Sequence, residues 1–347
     1  MTTEYDIFSQ ALSRVGDYRI DLAAAQVVSS ATAANPVVVT STAHGRVDGD
    51  VVLISAFAQM TQVNDRVFRV ASPTANTYQL KGENGLAYIA ETTGGLSERL
   101  EPSKETNLLY QVWPRVRAAA QRAHDWKCLL RYDRLARLGA PKTVTGATKA
   151  NPVVITTSAA HGFVAGGWVR LASVGGMVEI SERWFTVGTA PTTTTFTLAG
   201  ENGTAYTTYT SGGTATPALT PLRPDFGFEA RYDLPADYVR MIAQPQDDPD
   251  QTAWSVVGRE VYSDAAPVVP ILYVRRVLAP SAWDELFITY TAALLASEIV
   301  ENLTQSNSKK EGLLRDMQLA LRQARGVSEL EEGILEPEPT SWELARD

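Results

Sequence analysis

Three histidines, one cysteine and an unevenly placed set of carboxylates are the groups from which a metal centre or an acid–base pair could be built in this 347-residue chain. A catalytic zinc takes three protein ligands, but His44, His124 and His161 fall in separate segments. His44 and His161 each precede a glycine and read as turn residues, with no acid or cysteine at ligand spacing beside them. Cys128, alone, excludes a disulfide framework and a Cys-based zinc site. Glycoside hydrolysis asks for two carboxylates across a cleft, yet Glu329, Glu331, Glu332, Glu336, Glu338, Glu343 and Asp347 crowd the C-terminus against one base, Arg346. The rest of the chain holds 30 basic and 32 acidic residues, near neutrality, without the clustered Lys and Arg that grip phosphate backbones. The expectation is a protein without enzymatic activity, cofactor or metal. The start, MTTEYDIFSQ, lacks the basic and apolar regions of a signal peptide, and the apolar runs are short against the ~20 residues of a membrane span. No membrane partner is expected, and synthesis in a reducing compartment, or release by lysis, follows.

The elements that would position any site are organised by an internal repeat. Residues 34–88 contain ANPVVVTSTAHG, QMTQVNDRVFRV and NTYQLKGENGLAY; residues 150–206 contain ANPVVITTSAAHG, GMVEISERWFTV and TTFTLAGENGTAY. Such a match defines two copies of one unit. In each copy short β-branched runs alternate with turn residues, predicting about five strands that close as a small barrel or sandwich. The shared Asn84-Gly85 and Asn202-Gly203 predict type I′ hairpin turns, which need positive φ at both positions. The threonine-rich segments Pro191–Thr195 and Thr207–Thr216 read as loop and linker.

Lifting out the repeats leaves about 1–28, 93–143 and 216–347. Ile7, Phe8, Ala11, Leu12 and Val15 predict a helix ending at Gly16; Leu108, Leu109, Val112, Val116, Ala119, Ala120 and Ala123 predict a second, kinked at Pro114. Trp126–Leu138 turns extended. Phe228–Tyr232, Trp254–Val257, Val261-Tyr262 and Ile271–Val274 read as short strands, with a hairpin turn at Gly258-Arg259-Glu260. Ser281 with Asp284, and Ser308 with Glu311, read as capping boxes opening a central helix through Leu303 and a last helix closed by Gly326. The expected fold class is α+β and multidomain: a helical-bundle core of about four helices plus a small β-sheet, with two inserted all-β repeats. The ranges are core at 1–28, 93–143 and 216–326, inserts at 29–92 and 144–215, and an acidic arm at 327–347.

The repeat resembles the small β-barrel known as the first catalytic-cysteine half-domain of ubiquitin-activating enzymes, on its ANPVVVT…HG…M…F.V…NG.AY pattern; no adenylation chemistry accompanies it. The remaining frame resembles the head-to-tail adaptor (tail tubular protein A) family of short-tailed bacteriophages. The resemblance is carried by Ala11-Leu12-Ser13-Arg14-Val15-Gly16, His124-Asp125-Trp126, Tyr232-Asp233-Leu234-Pro235-Ala236-Asp237-Tyr238-Val239-Arg240-Met241, and the pair Phe287-Ile288-Thr289-Tyr290 … Ala320-Leu321-Arg322-Gln323-Ala324-Arg325. It implies a virion protein assembled in the host cytoplasm: a homo-oligomeric ring, usually of twelve, that joins portal protein to tail nozzle protein, with DNA passing through the lumen without sequence-specific binding. A sparsely basic chain suits such a conduit, since a basic lining would hold the polyanion. The inserts are expected to decorate the outside and touch capsid, tail fibres or other tail proteins. Tyr110, Trp113, Trp126, Arg131 and Arg134 are the candidates for the ring interface, packing between helix and sheet being the other role open to them. Leu321 with Ile334, Leu335 and Trp342, apolar anchors along an acidic arm, are the candidates for portal binding. Two other classes stay open. One is a tail-associated module binding host-surface glycans through Trp168, Trp184 and Tyr206, residues whose strand spacing also suits a core. The other is a cell-wall hydrolase.

Overall fold

The computed structural model describes residues 2–16, 18–224, 226–243, 253–264 and 267–330, which divide into two compact units: 1–130 with 274–347, and 131–273.

Among its described residues unit 1 combines four α-helices and a barrel. Helix α1 (Glu4–Val15) is opened by Thr3, whose hydroxyl accepts the Asp6 N–H while the Asp6 carboxylate takes the Thr3 N–H, and it buries Ile7, Phe8, Ala11, Leu12 and Val15. The chain then builds β1 (Gln26–Val28), β2 (Ser30–Ala31), β3 (Val38–Thr40), β4 (Val51–Ser55), β5 (Arg66–Ala71), β6 (Thr77–Leu80) and β7 (Gly95–Arg99). Their order is β1-β7-β4-β5-β6-β3-β2, antiparallel throughout. β1 and β2, at opposite ends of that order, are separated in the chain by Ser29 alone, so the two edges meet and the sheet closes on itself. Val28, Val39, Ile54, Met60, Phe68, Tyr78 and Leu80 fill it.

Helix α2 (Lys104–Arg122) runs unbroken through Pro114 and buries Thr106, Leu109, Trp113, Val116 and Ala120, alternating steps of three and four. The stripe passes through Trp113, not Val112. Helix α3 (Glu285–Thr304) starts three residues later than the Ser281 cap predicts, because Pro280–Ala282 forms a separate 3-10 turn and Asp284 accepts the Leu286 and Phe287 N–H groups. It is long and apolar enough to cross a membrane, a property the sequence reading did not assign to it, but most of that stretch is buried as α3 packs on α1, α2 and α4 (Asn307–Leu330). α4 continues through Gly326, where the sequence reading ended it.

Among its described residues unit 2 has one 3-10 turn, Val178–Ile180, and is otherwise built of strands: β8 (Leu130–Leu138), β9 (Lys142–Ala147), β10 (Val154–Thr157), β11 (Trp168–Ala172), β12 (Arg183–Thr186), β13 (Thr195–Thr197), β14 (Thr214–Leu219), β15 (Ala230–Asp233), β16 (Tyr238–Ala243), β17 (Trp254–Val257), β18 (Glu260–Ser263) and β19 (Val268–Arg275). β9 to β14 repeat the first barrel strand for strand: β9 pairs β10 and β14, β11 pairs β12 and β14, β10 pairs β13, and a Val187–Leu198 bridge joins β12 to β13. β15, β18 and β17 form a three-stranded sheet whose Gly258-Arg259 hairpin is the predicted one.

Several expectations are overturned. The core is not a helical bundle with a small sheet: strand is 31% and helix 27%, in three mostly antiparallel sheets. The cause is β14. The threonine-rich segment 207–216 runs at its end into this six-residue strand, Thr214–Leu219, whose first part closes the barrel against β9 and β11, while Ala218 and Leu219 pair with Leu138 and Arg137 of β8. β19 and β16 continue that sheet, so residues 131–143 and 216–273 lie with the second barrel and not with the helices. The barrels are also wider than 29–92 and 144–215, since β1, β7, the first two residues of β9 and the last four of β14 fall outside those limits. The type I′ turns fail too. Positive φ belongs to Gly82 and Gly200, while Gly85 and Gly203 are required by close approach: a Cβ there would stand 2.6 Å from Val37 Cγ2 and 2.5 Å from Val153 Cγ2.

Candidate functional site

The groups singled out for chemistry resolve into structural roles. His44 Nδ1 accepts the Arg46 N–H at 2.9 Å and its Nε2 faces the Thr77 carbonyl at 3.2 Å, which assigns the proton to Nε2. His161 repeats the pattern on Phe163 N–H (2.9 Å) and Thr195 carbonyl (3.3 Å). Both rings are buried, against Tyr78 and Phe196 respectively, and both pin the loop that ends in Gly45 or Gly162 to the barrel. Among the described residues no group of three or more His, Cys, Asp or Glu could hold a metal.

What the sequence reading missed is a polar triad in each barrel. The glutamate of the shared Gly-Glu-Asn-Gly takes both guanidinium nitrogens of an arginine and a tyrosine hydroxyl. In the first barrel Arg66 reaches Glu83 at 2.8 and 2.9 Å, and Tyr88 donates at 2.8 Å. In the second, Arg183 reaches Glu201 at 2.8 and 3.3 Å, and Tyr206 donates to the same carboxylate. Burial works against the Arg66 charge, but the bonds to Glu83 outweigh it and hold the guanidinium above its usual range; burial and the Glu83 bond push the Tyr88 hydroxyl up. The repeat alignment held the signal: Arg66/Arg183, Glu83/Glu201 and Tyr88/Tyr206 match in step.

Above the first triad lies a carboxylate that joins barrel to helices. Glu4, 1% exposed, accepts the Val67 N–H at 2.7 Å, Trp113 Nε1 at 2.6 Å and Arg117 Nη1 at 2.6 Å, and its own N–H donates to the Asp65 carbonyl at 2.8 Å. Burial lowers the Arg117 guanidinium from its usual range, with Glu4 opposing. A second buried acid, Glu91, receives Gln59 and Met60 N–H bonds at 2.7 and 3.1 Å and both Thr93 donors. Burial alone would raise it; the bonds from Thr93, Gln59 and Met60 hold it at about 2.

Of the five ring-interface candidates, two are withdrawn by burial. Trp113 (3% exposed) packs edge-on against Phe8 and is bonded to Glu4, and Trp126 (2%) donates to the Ala120 carbonyl while packing on Phe287 and Tyr290. Neither is open to a neighbouring subunit. Tyr110 is half-buried beneath the Arg69 guanidinium. Arg131 and Arg134 belong to unit 2: Arg131 sits 3.6 Å from both Asp133 and Asp237, and exposed Arg134 lies 5.1 Å over the Trp168 ring. On the same strand the reading overlooked Tyr132, 72% exposed, and Leu138, although the alternation of β8 places Tyr132 opposite buried Leu135. Leu321 is half-buried on α4, next to buried Ala320; Ile334, Leu335 and Trp342 lie outside the described residues. The three aromatic candidates for a glycan platform separate. Tyr206 packs on the second barrel's core. Trp168 and Trp184 alternate with buried Val169 and Phe185 and therefore stand on the outer face, not in the core.

No protein-family model matches the chain, and no curated protein does.

Proposed function

We propose that the protein is a structural connector of a short-tailed phage virion: a head-to-tail adaptor forming a ring between portal and tail nozzle, through which DNA passes. The observation that carries the reading is the convergence of α1, α2, α3 and α4. They come from three separated stretches of chain, yet pack as one body around α3. Three of the four quoted motifs of the adaptor resemblance lie in that body, at the end of α1, just after α2 and along the α3–α4 pair. The fourth, Tyr232–Met241, lies in the strands of unit 2. A sparsely basic chain fits a conduit for a polyanion. The exposed row Tyr132, Arg134 and Leu138 on β8 has the residue types that subunit contacts favour. The portal contact is assigned to α4 and the acidic arm after it.

Negative-stain imaging of the purified protein, alone and mixed with portal rings, tests the reading. Closed rings seated coaxially on the portal are the expected result; a particle that stays monomeric and never joins the portal overturns it. Removing residues 331–347 should leave the fold intact and abolish portal docking. A cut at Gly326 would be less informative, because Ser328 is buried and its hydroxyl accepts the Lys127 N–H.

A further inference from the structure

The two barrels share strand order and differ in what covers them. In the first, the outer face of the β4–β5 hairpin is closed over: Val51, Leu53 and Val67 are 4%, 3% and 7% exposed although they point away from the barrel core. α1 covers this face through a two-point clamp. The Asp65 carbonyl accepts the Glu4 N–H, and the Val67 N–H, which points away from β4, donates to the Glu4 carboxylate.

Residue for residue, Glu182 and Trp184 are the second barrel's Asp65 and Val67. Glu182 shares the left-handed conformation of Asp65 (φ 58° against 62°), and Trp184 stands opposite Arg170 as Val67 stands opposite Leu53. Arg183 is held by Glu201 and by the Glu179 carbonyl, as Arg66 is by Glu83 and the Gln62 carbonyl. The clamp is thus built, but among the described residues nothing takes up the Glu182 carbonyl or the Trp184 N–H. The face is open, with Trp184 half-exposed and Arg170 paired only to exposed Glu182.

We propose that this hairpin face of the second barrel is a docking site for a helix of another protein whose first turn carries a glutamate, seated as Glu4 is seated on the first barrel. The carboxylate meets the Trp184 N–H and Arg170, the helix N–H meets the Glu182 carbonyl, and the helix side packs on Trp184. Glu182 lies at the site, ion-paired to Arg170, and Arg183 between the two clamp points is held by Glu201 and the Glu179 carbonyl. In the full occupant a base plays the part Arg117 plays beside Glu4, and a probe without one binds the same site only weakly. The proposal rests on the internal duplication and holds whether or not the ring reading does.

The probe is a peptide of residues 1–16, added to the full chain labelled with 5-fluorotryptophan and followed by fluorine NMR, the Trp184 line being assigned with Trp184→Phe. The expected result is a saturable shift of the Trp184 line with an affinity on the order of 1 mM, the Trp113 line unmoved. A Glu4→Gln peptide should bind about tenfold more weakly, the scale of one lost charge-assisted hydrogen bond. Arg170→Glu in the protein, at a half-exposed position and checked for folding by circular dichroism, should remove the shift. No movement of the Trp184 line at several times that concentration, on the order of 5 mM, overturns the proposal, as does equal binding of the Glu4→Gln peptide. Movement of the Trp113 line alone means that the peptide exchanges with α1 and also overturns it. So does a Trp184 line that shifts on simple dilution, which would make the face a contact between copies of this chain.

Discussion

β4 and β11 hold the same place in two barrels of one topology, and their burial separates them. Val51, Val52, Leu53 and Ile54 are all buried, whereas Trp168, Val169, Arg170 and Leu171 alternate half-exposed and buried. The inward set is common: Val52 and Ile54 answer to Val169 and Leu171, as Phe68 does to Phe185. Only the outward set diverges, from Val51, Leu53 and Val67 to Trp168, Arg170 and Trp184. A strand covered on both faces reads as a continuous apolar run; a strand covered on one reads as alternation. The pair thus shows how one barrel is retained while its outer surface is rewritten to match its cover, with Glu4 as the point where cover and barrel lock together.

The largest effect is expected at that lock. Glu4→Ala strands the Val67 N–H, the Trp113 indole and the Arg117 charge in a closed interior, and should cost roughly 3–5 kcal/mol in urea denaturation. A loss under about 1 kcal/mol would show that the lock contributes nothing specific. Next come the triads. Glu83→Gln, beside an Arg66 side chain 7% exposed, should cost about 2–3 kcal/mol, whereas Glu201→Gln, beside an Arg183 48% exposed, should cost under about 1 kcal/mol. Equal costs would erase the contrast between the barrels.

Glu91 has no carboxylate counterpart in the second barrel and gives a pH test. Its carboxyl is held at about 2 against an ordinary 4.5. Stability from it is therefore complete above pH 4.5 and drains away as pH falls towards 2. Glu91→Gln should lower stability at neutral pH by about 1–3 kcal/mol and flatten the decline over that acid window; an unchanged acid slope would contradict the assignment. The smallest effects are on the rewritten face. Arg170→Leu should change stability by under about 0.5 kcal/mol, and a cost above about 1 kcal/mol would show that the face is covered.

Much of this was legible in the sequence because it is periodic. The repeat is visible as a self-match, α1 and α2 as apolar stripes, the β17–β18 hairpin as Gly258-Arg259. What escaped was set by tertiary context. The strand Thr214–Leu219 begins inside the threonine- and glycine-rich segment 207–216 that reads as linker, and only its partners β9, β11 and β8 make it a strand. That error carried the domain plan with it, since β14 ties residues 131–143 and 216–273 to the second barrel. Asn-Gly suggested a turn conformation where the glycine serves close packing against Val37 or Val153. Trp113 and Trp126 looked like interface aromatics because an exposed and a buried tryptophan have the same letter; the polar ends that gave them away, bonded to Glu4 and to the Ala120 carbonyl, lie on no local pattern. Glu4 itself, one acid in a capped first turn, reads as a solvated helix end.

Amide hydrogen exchange on protein labelled with 15N-valine and 15N-tryptophan compares the two barrels at the matched positions Val67 and Trp184. If the first barrel is locked to the helices through Glu4 while its twin is left open, the Val67 amide exchanges only on global opening, and the Trp184 amide exchanges at least about a hundredfold faster. Matched protection at the two sites would contradict the account.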